Sequence, residues 1–236
     1  MDEEIKTTYT VLEKKVEAAG ITTLRLLPVG VERPEFISGQ FITVYFPEVG
    51  TAEGKAYSIS SAPEEEGFSI TVKDIGTYSH KLSTMEVGDA LLATGPYGFF
   101  YSEESDTPLV LLAGGIGIAP FRSMILDVLK KYPTRKISLY YSVRDQADAV
   151  FLETFSSLTK EYSNFGYLLH VTGETPSVPG CHSGRISIDR IAYLHKDDSM
   201  TEYFMCGSIP FVRDMWRSLR RYNIPEERLY TEAFFA

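Results

Sequence analysis

The hydrophobic pattern changes halfway along the chain, and that change constrains the fold more than any single motif does. From the start to about residue 100, short β-rich segments follow one another: TYTVLEKKV, TTLRLLPV, QFITVYF, KAYSIS, FSITVK and DALLATG. Turns bearing Gly, Pro and acidic residues separate them, and one brief helical stretch, SHKLSTM, interrupts them. Short strands with so little helix predict a closed antiparallel barrel. From about residue 105, strands and helices alternate. PLVLLAG, KISLYYS, GYLLHVT, TEYFMCG and RLYTEAF read as strands, with amphipathic helices between them. Phe121, Met124, Ile125, Val128 and Leu129 fall at i, i+3, i+4, i+7 and i+8, and Val212, Met215, Trp216 and Leu219 repeat the stripe. These stripes are core faces. The alternation predicts an α/β doubly wound parallel sheet whose ligand lies beyond the carboxyl ends of the strands. We therefore divide the chain into a two-domain arrangement: an antiparallel β-barrel over residues 1–103 and an α/β domain over 104–236.

Composition removes several functions. A net charge of −9 argues against a nucleic-acid partner, because phosphate contacts need clustered Lys and Arg. Two such clusters exist, Lys130, Lys131, Arg135 and Lys136, and Arg217, Arg220 and Arg221, and both read as solvated helix faces. Cys181 and Cys206 are too few for a protein-held iron–sulfur cluster or a four-cysteine zinc site. His80, His170, His182 and His195 are scattered without ligand spacing, so no metal is assigned. The longest apolar run is broken by glycine and too short to span a bilayer, and MDEEIKTTY is acidic where a secretory signal is basic. The expectation is a cytoplasmic protein with no membrane span.

The stretch Ala113-Gly-Gly-Ile-Gly-Ile-Ala-Pro-Phe121 joins a strand to a helix. Gly114, Gly115 and Gly117 remove side chains there, letting backbone N–H groups and the helix's positive end approach a phosphate. Pro120 suits the first helical turn, where its missing N–H is no loss. The usual dinucleotide fingerprint has an acid at the end of the next strand; here the chain reads Tyr140-Tyr-Ser-Val-Arg-Asp145. Ser142 and Arg144 at that strand end suit a 2′-phosphate and favour NADPH, while the neighbouring Asp145 argues the other way. A tight connection in any α/β domain is the competing reading.

In the first half, Lys55-Ala-Tyr-Ser-Ile-Ser60 is followed by Gly76-Thr-Tyr-Ser79 and then by Gly95-Pro-Tyr-Gly98. With the glycine turn, Cys206-Gly-Ser208 and the tail Tyr230-Thr-Glu-Ala-Phe-Phe-Ala236, these motifs stand in the order found in the ferredoxin–NADP reductase superfamily, which the chain resembles over nearly its full length. The resemblance implies an FAD-binding barrel followed by a pyridine-nucleotide domain. It maps the family's Arg-x-Tyr-Ser onto Lys55, Ala56, Tyr57 and Ser58, the tyrosine packing on the flavin ring and the serine bonding its N5 edge. Lys55 departs from the family arginine that clamps a flavin phosphate, keeping the charge without the bidentate fork. Val72 and Lys73 lie where relatives lay backbone against the flavin. Gly76, Thr77 and Ser79 match the turn seating the FAD pyrophosphate, which favours FAD over FMN. Helix capping by Ser79 is the competing reading. Cys206 and Gly207 correspond to the segment beside the nicotinamide, Glu232 to a polar group near the hydride site, and Phe234 to the aromatic that covers the flavin or lines the nicotinamide slot. The tail departs from the plant pattern in running on through Phe235 and Ala236. Implied, then, is an NAD(P)H-dependent reductase with Ser58, Cys206 and Glu232 at the reacting centre. It would pass hydride to flavin N5 and electrons to a separate ferredoxin, flavodoxin or oxygenase component. Two alternatives stay open: a reductase of free flavin, and an electron-relay or redox-sensing subunit of a larger complex.

Overall fold

The computed structural model describes residues 5–49, 53–103, 106–173, 181–195 and 200–234. It divides into two compact units, one of residues 1–101 with 122–127, the other of 102–121 with 128–236.

The first unit carries β1 (Thr7–Ala18), β2 (Ile21–Pro28), β3 (Phe41–Tyr45), β4 (Lys55–Ser58), β5 (Phe68–Lys73), α1 (Thr77–Thr84) and β6 (Ala90–Tyr97). Its strands pair antiparallel in the order β4-β3-β6-β1-β2-β5. The end strands meet through one bridge, Ile59 to Ile70, and through Ser60 N–H donating to the Ser69 carbonyl (2.7 Å), which turns the sheet into a barrel. Alternation supplies the inside: Ile42 and Val44 of β3, Leu24 and Leu26 of β2, and Phe68 and Ile70 of β5 fill one core. Helix α1 adds Tyr78 and Leu82 to it.

The second unit contains β7 (Leu109–Gly114), α2 (Ile118–Lys131), β8 (Ile137–Val143), α3 (Leu152–Glu161), β9 (Phe165–Val171), β10 (Cys181–Ser183), α4 (Ile188–Leu194), β11 (Glu202–Ser208), α5 (Ile209–Arg221) and β12 (Leu229–Phe234). The short stretch 122–127 of α2 groups with the first unit. All six strands are parallel, ordered β10-β9-β8-β7-β11-β12. Strands β7 and β11 are buried along nearly their whole length, as a sheet covered on both faces requires. The sequence pattern missed β10, because three residues, Cys-His-Ser, carry no periodic signal.

The basic cluster expected around residue 135 is not a uniform surface feature. Arg135 is buried near the amino end of the sheet, where its Nη2 contacts Glu202 Oε2 (3.0 Å), Ser102 Oγ (2.7 Å) and Thr107 Oγ1 (3.0 Å). Its Nε donates to the Thr107 carbonyl (2.6 Å), and Tyr230 Oη donates to Glu202 Oε1 (2.9 Å). A short polar lead-in to β7 is thus tied to β11 and β12. Among the described residues no helix is long and apolar enough to cross a membrane.

Candidate functional site

In the second unit the chain steps outward from β7 to β8, β9 and β10 on one side, then returns to place β11 and β12 on the other. The strand order therefore reverses between β7 and β11, and crevices at such reversals bind ligands in parallel sheets. Gly114, Gly115 and Gly117 lie at this point, between β7 and α2. Beside them Ala113 pairs with Cys206, which pairs with Glu232, while Gly207 pairs with Ala233 and Ser208 with Phe234. The carboxyl end of the sheet thus collects the glycine turn, Cys206, Gly207, Glu232 and Phe234. Phe235 and Ala236 lie outside the described residues.

The three glycines do different things. A Cβ on Gly117 would stand 2.2 Å from the Cys206 carbonyl oxygen, and one on Gly114 2.8 Å from the Phe211 ring. Those two let β11 and α5 close in. Gly115, at φ +54°, is half-buried and has open space where its side chain would be, so no neighbour covers the turn on that side. Pro120 occupies the third position of α2, inside its first turn. Cys206 is fully buried; burial, reinforced by Glu232, raises its thiol well above the ordinary range. It is a neutral thiol, not a nucleophile. Glu232 and Phe234 are half-buried.

Along β8, Ser142 is in register with Gly114 on one side and His170 on the other, and Arg144 and Asp145 are exposed just past the strand's end. The register continues to His182, whose ring stacks on His170 at 5.3 Å and 24°. The sequence presents these histidines as scattered; parallel pairing of β9 with the unforeseen β10 brings them together. Burial, then the neighbouring His182, lowers the His170 pKa. No group of three or more metal-ligating side chains occurs among the described residues.

In the first unit, β4 presents Lys55 and Ala56 to solvent, half-buries Tyr57 and buries Ser58. Ser58 pairs with Phe41 and Tyr57 with Ile42 of β3, and the Tyr57 ring leans on the barrel core. Burial, with Tyr78 nearby, raises the Tyr57 phenol, so it stays protonated. Ser58 Oγ is buried and makes no hydrogen bond among the described residues. At the end of β5, Val72 points into the core and Lys73 is half-buried. Gly76 caps α1, with Gly76 and Thr77 exposed. Ser79 is spent locally: its Oγ accepts from Ile75 N and Gly76 N and donates to the Gly76 carbonyl, each at 3.0 Å.

Family models match both units. Residues 9–101 match an oxidoreductase FAD-binding domain and residues 111–217 an oxidoreductase NAD-binding domain. Among curated relatives, the flavohemoprotein of Rhizobium meliloti is 29% identical over 96% of this chain and 60% of its own length. The reductase component of propane 2-monooxygenase from Mycolicibacterium goodii is 27% identical over 98% of this chain and 68% of its own length. The chain thus spans about 60 to 68% of these relatives. A solved structure of the flavohem-like FAD/NAD-binding domain of nitric oxide dioxygenase from Vibrio cholerae superimposes with a TM-score of 0.86, at 25% identity, over 97% of this chain and 98% of that one. With one half matched as FAD-binding, the other as NAD-binding and the fold shared across both, the chain belongs to the ferredoxin–NADP reductase superfamily of FAD- and NAD(P)-binding oxidoreductases.

Proposed function

We propose that the chain is the reductase partner of an electron-transfer pair, taking hydride from NAD(P)H and passing electrons to a separate protein acceptor of the oxygenase-component kind. The observation that carries this reading is Ser58. A buried hydroxyl without a hydrogen bond costs free energy unless a ligand supplies the partner. It stands at the end of a strand in the FAD-binding half, next to a neutral tyrosine ring. A hydroxyl can donate to a ring nitrogen or accept from it, which suits an edge whose protonation changes.

When bound, a flavin would supply the redox chemistry, hydride acceptance and onward electron transfer. The chain's residues position and shelter. Tyr57 offers an aromatic face whose phenol carries no charge, and the Val72–Lys73 backbone and the Gly76–Thr77 turn hold the rest of the cofactor. In the other half, backbone at Gly115 and the start of α2 would hold a nucleotide diphosphate, while Ser142 and Arg144 would contact its ribose end. Glu232 lines the nicotinamide end as its polar group, with the fully buried Cys206 a neutral thiol in register with it on the neighbouring strand. The relative named as a monooxygenase reductase component supports a separate acceptor.

A second reading, reduction of free flavin, is favoured by the commitment of the Ser79 hydroxyl to its own helix and by exposed Lys55 in place of an arginine. Both leave fewer grips on flavin phosphate. The anaerobic visible spectrum, taken before and after adding NADPH or NADH, separates the two. A yellow protein that bleaches supports the tightly held cofactor. A colourless protein that turns over added flavin transfers the case to the second reading, and flavin that stays oxidised under both nucleotides overturns both.

A further inference from the structure

Since no hydrogen bond fixes Ser58 Oγ, its placement depends on the backbone around it. That backbone lies at the weakest seam of the barrel: β4 is laddered to β3 on one side, and the chain just after it meets β5 through the Ile59 to Ile70 bridge and the Ser60 N–H to Ser69 carbonyl bond. Beyond the bridge, side chains supplement that short pairing. On the β5 side, Ser60 Oγ donates to the Ser69 carbonyl (3.1 Å), and Ser69 N–H donates to Ser61 Oγ (2.9 Å). On the other side stand two residues of the 122–127 stretch that groups with this unit. Arg122 Nη1 donates to the Ser60 carbonyl (2.7 Å), and Ser123 Oγ donates to the Ser61 carbonyl (2.6 Å). The same guanidinium grips Glu65 with both arms, at 2.9 and 3.1 Å, and Glu65 Oε2 accepts from Ala62 N–H (2.7 Å). Burial pushes the Glu65 carboxyl up, but the Arg122 hydrogen bond and charge outweigh it, leaving the group below its ordinary value. Ser60, Ser61 and Ser123 are fully buried.

One planar fork therefore serves a carbonyl and a carboxylate at once, a geometry that lysine does not reproduce. We propose that Arg122 is a positioning residue for the flavin edge: by holding the Ser60 carbonyl it sets the backbone from which Ser58 projects. This rests on the reading that Ser58 faces the flavin. Arg122 touches no reacting atom; it acts two residues away, through the chain.

The test is a double-mutant cycle on the full chain, with two readouts: anaerobic flavin reduction at saturating NAD(P)H, and amide hydrogen exchange at residues 59–62. Arg122→Leu is expected to raise exchange at Ser60, Ser61 and Ala62 and to slow reduction on the order of tenfold, the scale of loss when a reacting group is misplaced. Arg122→Lys, which keeps the charge but places its donors on a single nitrogen, is expected to recover part of both and guards against simple misfolding. Ser58→Ala slows reduction and leaves exchange unchanged. The double variant Ser58→Ala/Arg122→Leu is then no slower than Ser58→Ala alone, because both act through one hydroxyl. Multiplying effects in the double variant, or faster exchange with unaltered reduction in Arg122→Leu, overturns the proposal and leaves the Ser58 reading standing. Unaltered reduction in Ser58→Ala overturns that reading and this proposal together.

Discussion

The two units build their candidate sites by opposite means. In the barrel, the candidate group is a side chain, Ser58 Oγ, left without a partner inside a seam where nearly everything else is hydrogen-bonded. In the parallel sheet it is backbone at half-buried Gly115, left uncovered on its Cβ side while the neighbouring glycines let β11 and α5 close in and Cys206 is packed shut. A barrel fixes direction through side chains alternating across one sheet; a parallel sheet fixes position through the shared edge of its strands. Substitutions should therefore hurt the two units in different currencies.

The largest effect is expected where neither means applies, at the buried pair that anchors the parallel sheet. Glu202→Leu leaves Arg135 charged and buried, with Ser102, Thr107 and Tyr230 also losing an acceptor. Breaking one half of such a pair costs about 3–5 kcal/mol. Urea unfolding should show that loss, and the double variant Arg135→Met/Glu202→Leu should recover much of it. A loss below about 1 kcal/mol would show that the pair is solvated and screened.

Next comes Gly117→Ala. Its Cβ would stand 2.2 Å from the Cys206 carbonyl, so β11 must move, at an expected cost of about 1–3 kcal/mol or more. Gly115→Ala meets open space and carries only the strain of a left-handed residue, about 1–2 kcal/mol. Nucleotide affinity should fall more in Gly115→Ala than stability does, measured by titration and unfolding of the same samples. Two alanines that behave alike would show that Gly115 and Gly117 serve one and the same packing role.

These predictions also mark what the sequence made legible. The strand-to-helix change of grammar and the stripes of α2 and α5 are repeated patterns, and repetition survives without tertiary knowledge; β1 was legible as the short strand TYTVLEKKV but not at its full twelve residues. The glycine turn was legible as a turn, but not the separate duties of Gly114, Gly115 and Gly117, since each duty is set by a neighbour distant in sequence: Phe211 for one, Cys206 for another. Likewise Arg135 read as one of four surface cations; only the register that brings Glu202 beside it makes it a buried anchor. Ser79 permitted two readings, and its geometry is that of a helix cap. Arg122 gave no signal, because its role depends on a loop some sixty positions away.

Ser58→Ala is expected to move stability the other way. An unpartnered buried hydroxyl carries a desolvation cost with no return, so its removal should stabilise the flavin-free chain, by about 1 kcal/mol. Thermal unfolding with and without added FAD checks it. A gain without flavin that shrinks or reverses with flavin marks the hydroxyl as a ligand contact held ready at the expense of stability. Destabilisation in both states would mean that Ser58 already has its partner in the protein.

The smallest effect should separate the units by pH. His170 is buried in the sheet unit, stacked on His182 with Arg190 nearby, whereas His80 of the barrel unit lies exposed beside Asp74. Burial lowers the His170 pKa from its ordinary 6.5, so as pH falls through that value the unfolded chain binds the proton first. Stability is therefore fully present above about 6.5 and is lost as pH falls toward the lower folded value, with a slope of at most about 1.4 kcal/mol per pH unit. His170→Phe should flatten this acid limb while leaving stability near pH 8 within about 1 kcal/mol, because an aromatic ring can keep the stack. Urea midpoints at pH 8 and pH 5.5 for both proteins give the slope. An acid limb unchanged in His170→Phe would assign the acid sensitivity to groups outside the stacked pair and remove the imidazoles from this contrast between barrel and sheet.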